Sequence, residues 1–165
     1  MACRPQIPFA CRNHDHRNCI ADALSIAEKL CRQQGQRFTI VRRRVLELVW
    51  QQHKPVGAYE LLEMLQQNGR TAPPTVYRAL DFLQQMGLVH RIESLNAYVG
   101  CTHPGIPHDG QFLICESCKA LVELDAASIS SAIEQSALES GFETHRQTVE
   151  ILGLCPNCRK GDAGA

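Results

Sequence analysis

Two cysteine pairs in this chain have the spacing of a metal site. Cys115 and Cys118 enclose two residues in "FLICESC", and Cys155 and Cys158 repeat that spacing in "LCPNC". Each C-x-x-C turn supplies two thiolates, and structural zinc takes four tetrahedral ligands. The pattern therefore predicts a closed, structural zinc site that joins the start of a small domain to its end. Free thiol pairs or a redox pair are the alternatives, but a redox pair normally precedes a helix in a βαβ unit.

A second group of side chains, before and just after the first cysteine pair, could also bind a metal. Its members are two imidazoles, a thiol and a carboxylate, at His90, Cys101, His108 and Glu123. Each alone has an ordinary explanation as a sheet histidine, a core residue, a loop residue or a solvated strand end. Zinc accepts all three ligand types, and the four straddle a predicted domain boundary. The spacing alone does not decide between a second metal site and four residues with ordinary structural roles.

Charge is unevenly distributed along the chain, although the net charge is zero. Residues 1–98 carry thirteen Lys and Arg against eight Asp and Glu, whereas residues 99–165 carry four against nine. This asymmetry predicts that only the front half meets a polyanion. Nine cysteines without a recognisable signal peptide or membrane-spanning run predict a soluble, cytoplasmic protein with reduced thiols.

Apolar periodicity and helix-stop residues predict four helices in the front half. They cover residues 21–35, 38–53, 57–69 and 71–87. Thr39 is a candidate N-cap for the second helix, and two prolines can open the fourth. Alternating segments around residues 94–96 predict a hairpin. Helices followed by a hairpin are typical of a winged helix-turn-helix, whose recognition helix enters the major groove of DNA.

The pattern of the rear half predicts strand, strand, helix and strand. A domain of this size is small enough to depend on a metal or a partner subunit for its stability. The expected fold is α+β, with a winged helix-turn-helix at residues 21–100 and a small zinc-stapled α/β dimerisation domain at residues 101–160. Residues 1–20 lack periodicity and predict a disordered tail. The Cys and His residues of that tail could alternatively bind metal weakly.

Several segments resemble the ferric uptake regulator family of metal-sensing repressors, from about residue 22 to residue 158. "PPTVYRALDFL" resembles the recognition helix of that family, and "FLICESC" with "GLCPNC" resembles its structural zinc site. "GLVHRIES", "AYVGC" and "PHDGQFLICESC" resemble its zinc-responsive branch. The chain lacks the histidine-rich run that usually precedes the first cysteine pair in the iron and peroxide branches.

The resemblance implies a zinc-responsive transcriptional repressor and not an enzyme. Such a repressor binds palindromic double-stranded DNA operators as a zinc-loaded homodimer and controls genes of zinc uptake and homeostasis. It takes two Zn²⁺ per protomer, and it uses neither a membrane nor a small organic substrate. The structural zinc falls on Cys115, Cys118, Cys155 and Cys158, and the regulatory zinc falls on His90, Cys101, His108 and Glu123.

The resemblance also implies DNA contacts by Tyr59 and Arg78. Arg78 suits a bidentate contact with guanine, and Thr75 lies on the same outward turns of the predicted recognition helix. For Tyr77 the sequence leaves two roles open, a phosphate contact and packing within the protein. Three further candidates for phosphate contacts, for which a solvated helix face is the alternative, are Arg42, Arg43 and Arg44.

Three other functions compete with this one. An iron- or peroxide-sensing repressor of the same family would need nitrogen and oxygen ligands, and the sulfur of Cys101 argues against it. A zinc-dependent hydrolase would need an open zinc position and a general base. A zinc-ribbon module that recruits protein partners would leave the basic front half and "PPTVYRAL" unexplained.

Overall fold

The computed structural model describes residues 16–51, 54–67, 71–106 and 108–161, with the side chains of residues 16, 160 and 161 excepted. The chain divides into two compact units, Met1–Ile106 and Pro107–Ala165. Each unit contains a three-stranded sheet within the described ranges. The mixture of helices and largely antiparallel strands confirms the α+β fold class.

The first unit has four helices followed by a hairpin, in the part of it that is described. In chain order its elements are α1 (His16–Gln33), α2 (Ile40–Trp50), β1 (Val56–Gly57), α3 (Ala58–Gln66), α4 (Pro73–Gln85), β2 (Val89–Ile92), a 3₁₀ turn (Glu93–Leu95) and β3 (Ala97–Gly100). The strand order is β1-β3-β2, and both pairings are antiparallel. Asn96 turns the hairpin with a left-handed φ of 46°. This order confirms the predicted winged helix-turn-helix.

The ends of the helices follow from local chemistry. Thr39 caps α2, because its hydroxyl oxygen accepts a hydrogen bond of 3.4 Å from the backbone N–H of Arg42. Proline occupies the first positions of α4, where no intrahelical N–H bond is lost. Gly87 follows α4 with a φ of 65°, as expected for a helix stop. The predicted stop of α3, at residues 68–69, lies outside the described residues.

Helix α1 begins five residues earlier than the sequence predicts. The structure starts it at His16, so residues 16–20 are helical and not part of a disordered tail. Cys19 and Ile20 are half-buried and extend the apolar stripe of Ala23 and Ala27 toward the N-terminus. This added burial explains the longer helix. The rest of the predicted tail, residues 1–15, lies outside the described residues.

Helix α4 is anchored by its inner face. Val76, Leu80 and Leu83 are at most 1% exposed, and they pack in one core with residues of α1, α2, α3 and the sheet. Burial of each such side chain contributes about 1.5–3 kcal/mol. The inner face thereby fixes the rotation of α4, and the polar residues of its first turns are held on the outside.

The second unit has the predicted order of strand, strand, helix and strand, with one helix added. Its elements are β4 (Gly110–Cys115), β5 (Leu121–Glu123), α5 (Ala127–Glu139), β6 (Thr148–Gly153) and α6 (Pro156–Gly161). The strand order is β5-β4-β6, with β4 and β5 antiparallel and β4 and β6 parallel. Parallel strands end at the same edge of a sheet. The cysteine pairs that follow β4 and β6 therefore meet.

The second unit buries little of its own apolar surface. Phe112 and Ile114 of β4 are at most 2% exposed, but no residue of α5 or β6 is buried. Large apolar side chains that remain exposed in this unit are Leu138, Phe142, Ile151, Leu152 and Leu154. Within the described ranges, no helix combines the length and the apolar character needed to span a bilayer.

Candidate metal centres and DNA-binding surface

The four cysteines of the two C-x-x-C turns form a compact cluster in the second unit. Their Sγ atoms, on Cys115, Cys118, Cys155 and Cys158, all lie within 4.8 Å of one another. Sγ of Cys118 lies 3.8 Å from Sγ of Cys155. A tetrahedral site with Zn–S distances of about 2.3 Å has S···S edges of about 3.8 Å. The cluster therefore has the dimensions of a closed four-thiolate zinc site, as the spacing predicts.

Backbone N–H groups prepare two of these sulfurs as thiolates. Hydrogen bonds from the backbone N–H groups of Cys118 and Cys155 lower the pKa of Cys115 to about 6, and the latter N–H lies 3.4 Å from the sulfur. The backbone N–H of Cys158 likewise lowers the pKa of Cys155. Thiolate is the form that binds metal. Each turn thus holds one sulfur whose ligand form, the thiolate, is favoured by backbone N–H groups.

The environment of Cys158, in contrast, favours its protonated form. A bond from the Ser117 hydroxyl lowers the pKa of Cys158, but bonds with Cys155 and Cys118 outweigh it and raise that pKa to about 11. Four adjacent negative charges repel one another in the absence of a cation. Zn²⁺ removes this repulsion, so metal binding and loss of protons from the cluster are coupled.

One residue that shapes the first turn gives no signal in the sequence. Lys119 has a left-handed φ of 60°, which is uncommon for a residue with a side chain. Its backbone N–H donates to the carbonyl of Cys115 at 2.9 Å and closes the turn. The turn then returns the chain to β5, because the backbone N–H of Cys115 donates to the carbonyl of Ala120 at 2.9 Å.

Two of the four predicted regulatory ligands lie together in the first unit. His90 belongs to β2, and Cys101 follows β3 with its backbone N–H bonded to the carbonyl of Leu88 at 3.0 Å. Their ligand atoms lie within 4.8 Å of each other. Cys101 is only 1% exposed. An imidazole and a sheltered thiol therefore form one half of a possible metal site at the base of the hairpin.

The other two predicted regulatory ligands lie together in the second unit. Nε2 of His108 lies 2.8 Å from a carboxylate oxygen of Glu123, which ends β5. The Glu123 side chain is only 3% exposed. A sheltered carboxylate requires a strong partner, and imidazole or a metal cation can supply one. The imidazole and the carboxylate of this pair are both ligand types that zinc accepts in proteins.

The outer face of α4 presents the predicted DNA-reading residues. Arg78 and Tyr77 are exposed, and Thr75 is half-buried beside them on the first turns. Tyr59, in the first turn of α3, is 74% exposed. These four side chains point away from the core that holds Val76. The helix pair α3 and α4 therefore offers a polar surface of the kind that enters a DNA groove.

The three arginines of α2 already have partners within the protein. Arg42 donates to the carbonyl of Arg37, and its guanidinium lies 3.3 Å from the centre of the Phe82 ring. Arg43 pairs with Glu28 of α1, and Arg44 pairs with Glu47 at 2.9 Å. The contacts of Arg42 and Arg43 connect α2 to α4 and α1, whereas the Arg44–Glu47 pair lies within α2. The sequence could have indicated the Arg44–Glu47 pair, which is spaced i,i+3 on one helix, but not the contacts of Arg42 with Phe82 or of Arg43 with Glu28, whose partners lie in other helices.

The fold and these residues define a metal-dependent DNA-binding regulator. The ferric uptake regulator family matches residues 33–152, and the chain belongs to that family. The zinc uptake regulation protein of Escherichia coli (strain K12) is 38% identical over 144 residues, which cover 86% of this chain and 84% of the relative. That of Mycobacterium tuberculosis (strain ATCC 25618 / H37Rv) is 30% identical over 107 residues, which cover 62% and 79%.

Solved structures of zinc uptake regulators also resemble this chain. A zinc uptake regulator complexed with zinc and DNA superposes with a TM-score of 0.82 at 36% identity, covering 92% of this chain and 99% of the other. The crystal structure of holo XcZur has a TM-score of 0.79 at 44% identity, covering 84% and 98%. The family resemblance predicted from the motifs is confirmed. Membership makes the chain a regulator and not an enzyme.

Proposed function

We propose that this chain is a zinc-responsive transcriptional repressor. It binds palindromic DNA operators as a zinc-loaded homodimer in the cytoplasm, and it controls genes of zinc uptake and homeostasis. The observation that carries the proposal is the location of His90 and Cys101. They form half of a metal site within the DNA-binding unit itself, at the base of its hairpin. A metal bound there acts directly on the unit that meets DNA.

The four-cysteine cluster holds a structural zinc. Its coordination shell is complete with Cys115, Cys118, Cys155 and Cys158. A site with four protein ligands leaves no position for a substrate. The metal joins the ends of β4 and β6, so it stabilises a unit whose own core is small. The S···S distance of 3.8 Å between Cys118 and Cys155 supports this assignment.

The regulatory zinc is held by His90, Cys101, His108 and Glu123. Two imidazoles, a thiolate and a carboxylate complete a tetrahedral shell, and the thiolate favours zinc over iron. Each unit of the chain contributes one preformed pair of these ligands. Zinc therefore favours the conformations in which all four ligands bind one metal ion. The affinity for DNA then depends on the zinc concentration, because zinc and DNA favour the same conformations.

A homodimer covers the exposed apolar side chains of the second unit. Strand β6 is an edge strand, and Ile151 and Leu152 on it are 43% and 51% exposed. Leu138 and Phe142, at and just beyond the end of α5, are more exposed still. An apolar face and a free strand edge of this kind are typical of an interface between subunits. Two-fold symmetry then matches the symmetry of a palindromic operator.

Zinc content measured against buffered free zinc tests this proposal. A DNA operator is first selected from random duplexes with the zinc-loaded protein. We expect one zinc per protomer at low free zinc and a second at higher free zinc, since the two ligand groups differ in donor set. Operator binding should follow the second step. One plateau at a single zinc, with operator binding independent of zinc, would refute regulation by zinc. The same operator-binding titration with iron in place of zinc tests the alternative function, an iron-sensing repressor of the same family.

Replacement of Arg78 by alanine should weaken operator binding without changing the zinc content. A bidentate arginine–guanine contact contributes about 1–3 kcal/mol, so we expect a loss of about 5- to 150-fold. Fluorescence anisotropy of the labelled operator measures the affinity. Lys29→Ala is the matched control, because it removes one exposed positive charge from α1 instead of α4. Equal affinities for Arg78→Ala and Lys29→Ala would rule out base reading by Arg78.

A further inference from the structure

The single tryptophan of the chain, Trp50, covers a glycine that directly precedes a proposed zinc ligand. A Cβ atom at Gly100 would overlap Cε2 and Nε1 of the Trp50 indole and would lie 2.7 Å from Cζ2. Non-bonded carbon atoms pack at about 3.5–4.0 Å. The backbone of Gly100 does not require glycine, because its φ is not in the left-handed range. Glycine is required at this position because the indole fills the space of a side chain.

The hairpin places this contact and the metal ligands on opposite faces. Gly100 pairs with Val89 across β3 and β2. Successive side chains of a strand alternate between the two faces of a sheet. Gly100 and Val89 therefore face the indole, whereas His90 and Cys101 face the other way. The indole supports the end of β3 from behind, opposite the side on which a metal would bind.

Trp50 is the last residue of α2, a helix that packs against both β3 and α4. Its indole is half-buried against the core of the first unit. A displacement of β3 at Gly100 therefore meets resistance from α2, and through α2 from the helix that carries Arg78. The contact joins the metal-binding end of the hairpin to the DNA-reading part of the same unit.

We propose that Trp50 is a positioning residue for the regulatory zinc, a role that rests on the proposed function. The indole holds β3 so that Cys101 keeps its position relative to His90. Loss of a residue that orients a metal ligand typically lowers metal affinity about 10–100-fold. The contact therefore sets the zinc concentration at which the protein responds, and it does not touch DNA or zinc itself.

Two substitutions that disturb the contact from opposite sides test this role. Trp50→Leu removes most of the indole, and Gly100→Ala forces it away. In each variant, the free zinc at half-maximal operator binding should rise about 10–100-fold. Operator affinity at saturating zinc and the zinc held by the four cysteines should stay at wild-type values. Gly57→Ala is the matched control, because Gly57 also lies at the end of a strand of the same sheet, but the nearest atom to an added Cβ there is 3.9 Å away, an ordinary packing distance.

The double variant, Trp50→Leu with Gly100→Ala, supplies the decisive measurement. The alanine methyl group can occupy space that the indole leaves, so the double variant should respond at lower free zinc than Gly100→Ala alone. Residues in direct contact show such non-additive effects, whereas independent residues do not. Circular dichroism identifies a variant that has lost its fold. If Gly100→Ala does not fold, Trp50→Leu decides the question alone.

The outcomes separate this role from the proposed function. A wild-type protein that binds operator without zinc would overturn the proposed function and the positioning role with it. A zinc-responsive wild type, together with an unshifted midpoint in folded Trp50→Leu, would overturn the positioning role only. A lower melting temperature with an unshifted midpoint would mean that Trp50 is an ordinary core residue.

Discussion

Cys101→Ser should abolish zinc-dependent operator binding while the four-cysteine zinc is retained. Serine is a poor zinc ligand at neutral pH, and the thiol it replaces is the only sulfur in the proposed regulatory set. Without that ligand, zinc no longer favours the DNA-binding conformation. We expect operator affinity at saturating zinc to fall to that of non-specific DNA, a loss of at least about a thousandfold.

Anisotropy with the selected operator measures this loss, and elemental analysis measures zinc per protomer. Cys31→Ser is the matched control. Cys31 is as buried as Cys101, at 1% exposure in the core of the same unit, but it belongs to neither ligand group. A loss of stability alone would therefore affect both variants. If Cys101→Ser keeps a wild-type response to zinc, the ligand assignment is wrong.

Cys115→Ser should unfold the second unit and release the dimer. In small zinc domains, the metal contributes about 10–16 kcal/mol to folding. That contribution equals or exceeds the net stability of about 5–15 kcal/mol of an ordinary domain. The second unit has few buried apolar side chains of its own, so it cannot offset the loss. The structural zinc should be lost together with the sheet.

Sedimentation velocity and far-ultraviolet circular dichroism measure these effects. Glu116→Gln is the matched control, since Glu116 is exposed within the same C-x-x-C turn and contributes no ligand. The control should remain a folded dimer with full zinc content. A folded Cys115→Ser dimer would show that the four-cysteine site is not required for the second unit, and the structural assignment would then fail.

Local signals predicted most of the fold correctly. The prolines that open α4 and the left-handed Gly87 beyond its end both act on the backbone within one or two residues. The hairpin around residues 94–96 and the order of strand, strand, helix and strand along the second unit also follow from short-range patterns. The cysteine spacing predicted a cluster that the geometry supports. Such features need no knowledge of distant contacts.

Features that depend on distant residues were missed. Strand β1 has only two residues, Val56 and Gly57, and exists because they pair with β3. Helix α6 has six residues, too few to show periodicity, and Pro156 at its first position is the only local cue. The requirement for glycine at position 100 comes from an indole fifty residues earlier in the chain. Sequence patterns record a residue's own neighbours, and these features are set by tertiary contacts.

Because β4 pairs with β6, the structural zinc site can form only after the ribosome has synthesised both strands. Cys115 and Cys155 are separated by forty residues, and the last ligand, Cys158, follows both strands. A nascent chain therefore completes the winged helix before its structural zinc site can exist. Contacts of such long sequence separation form slowly, because the intervening loop must close first. A chain that has not yet emerged to Cys158 can hold a folded winged helix but cannot bind metal with four thiolates, so metal binding at this site follows synthesis of both strands that the site joins.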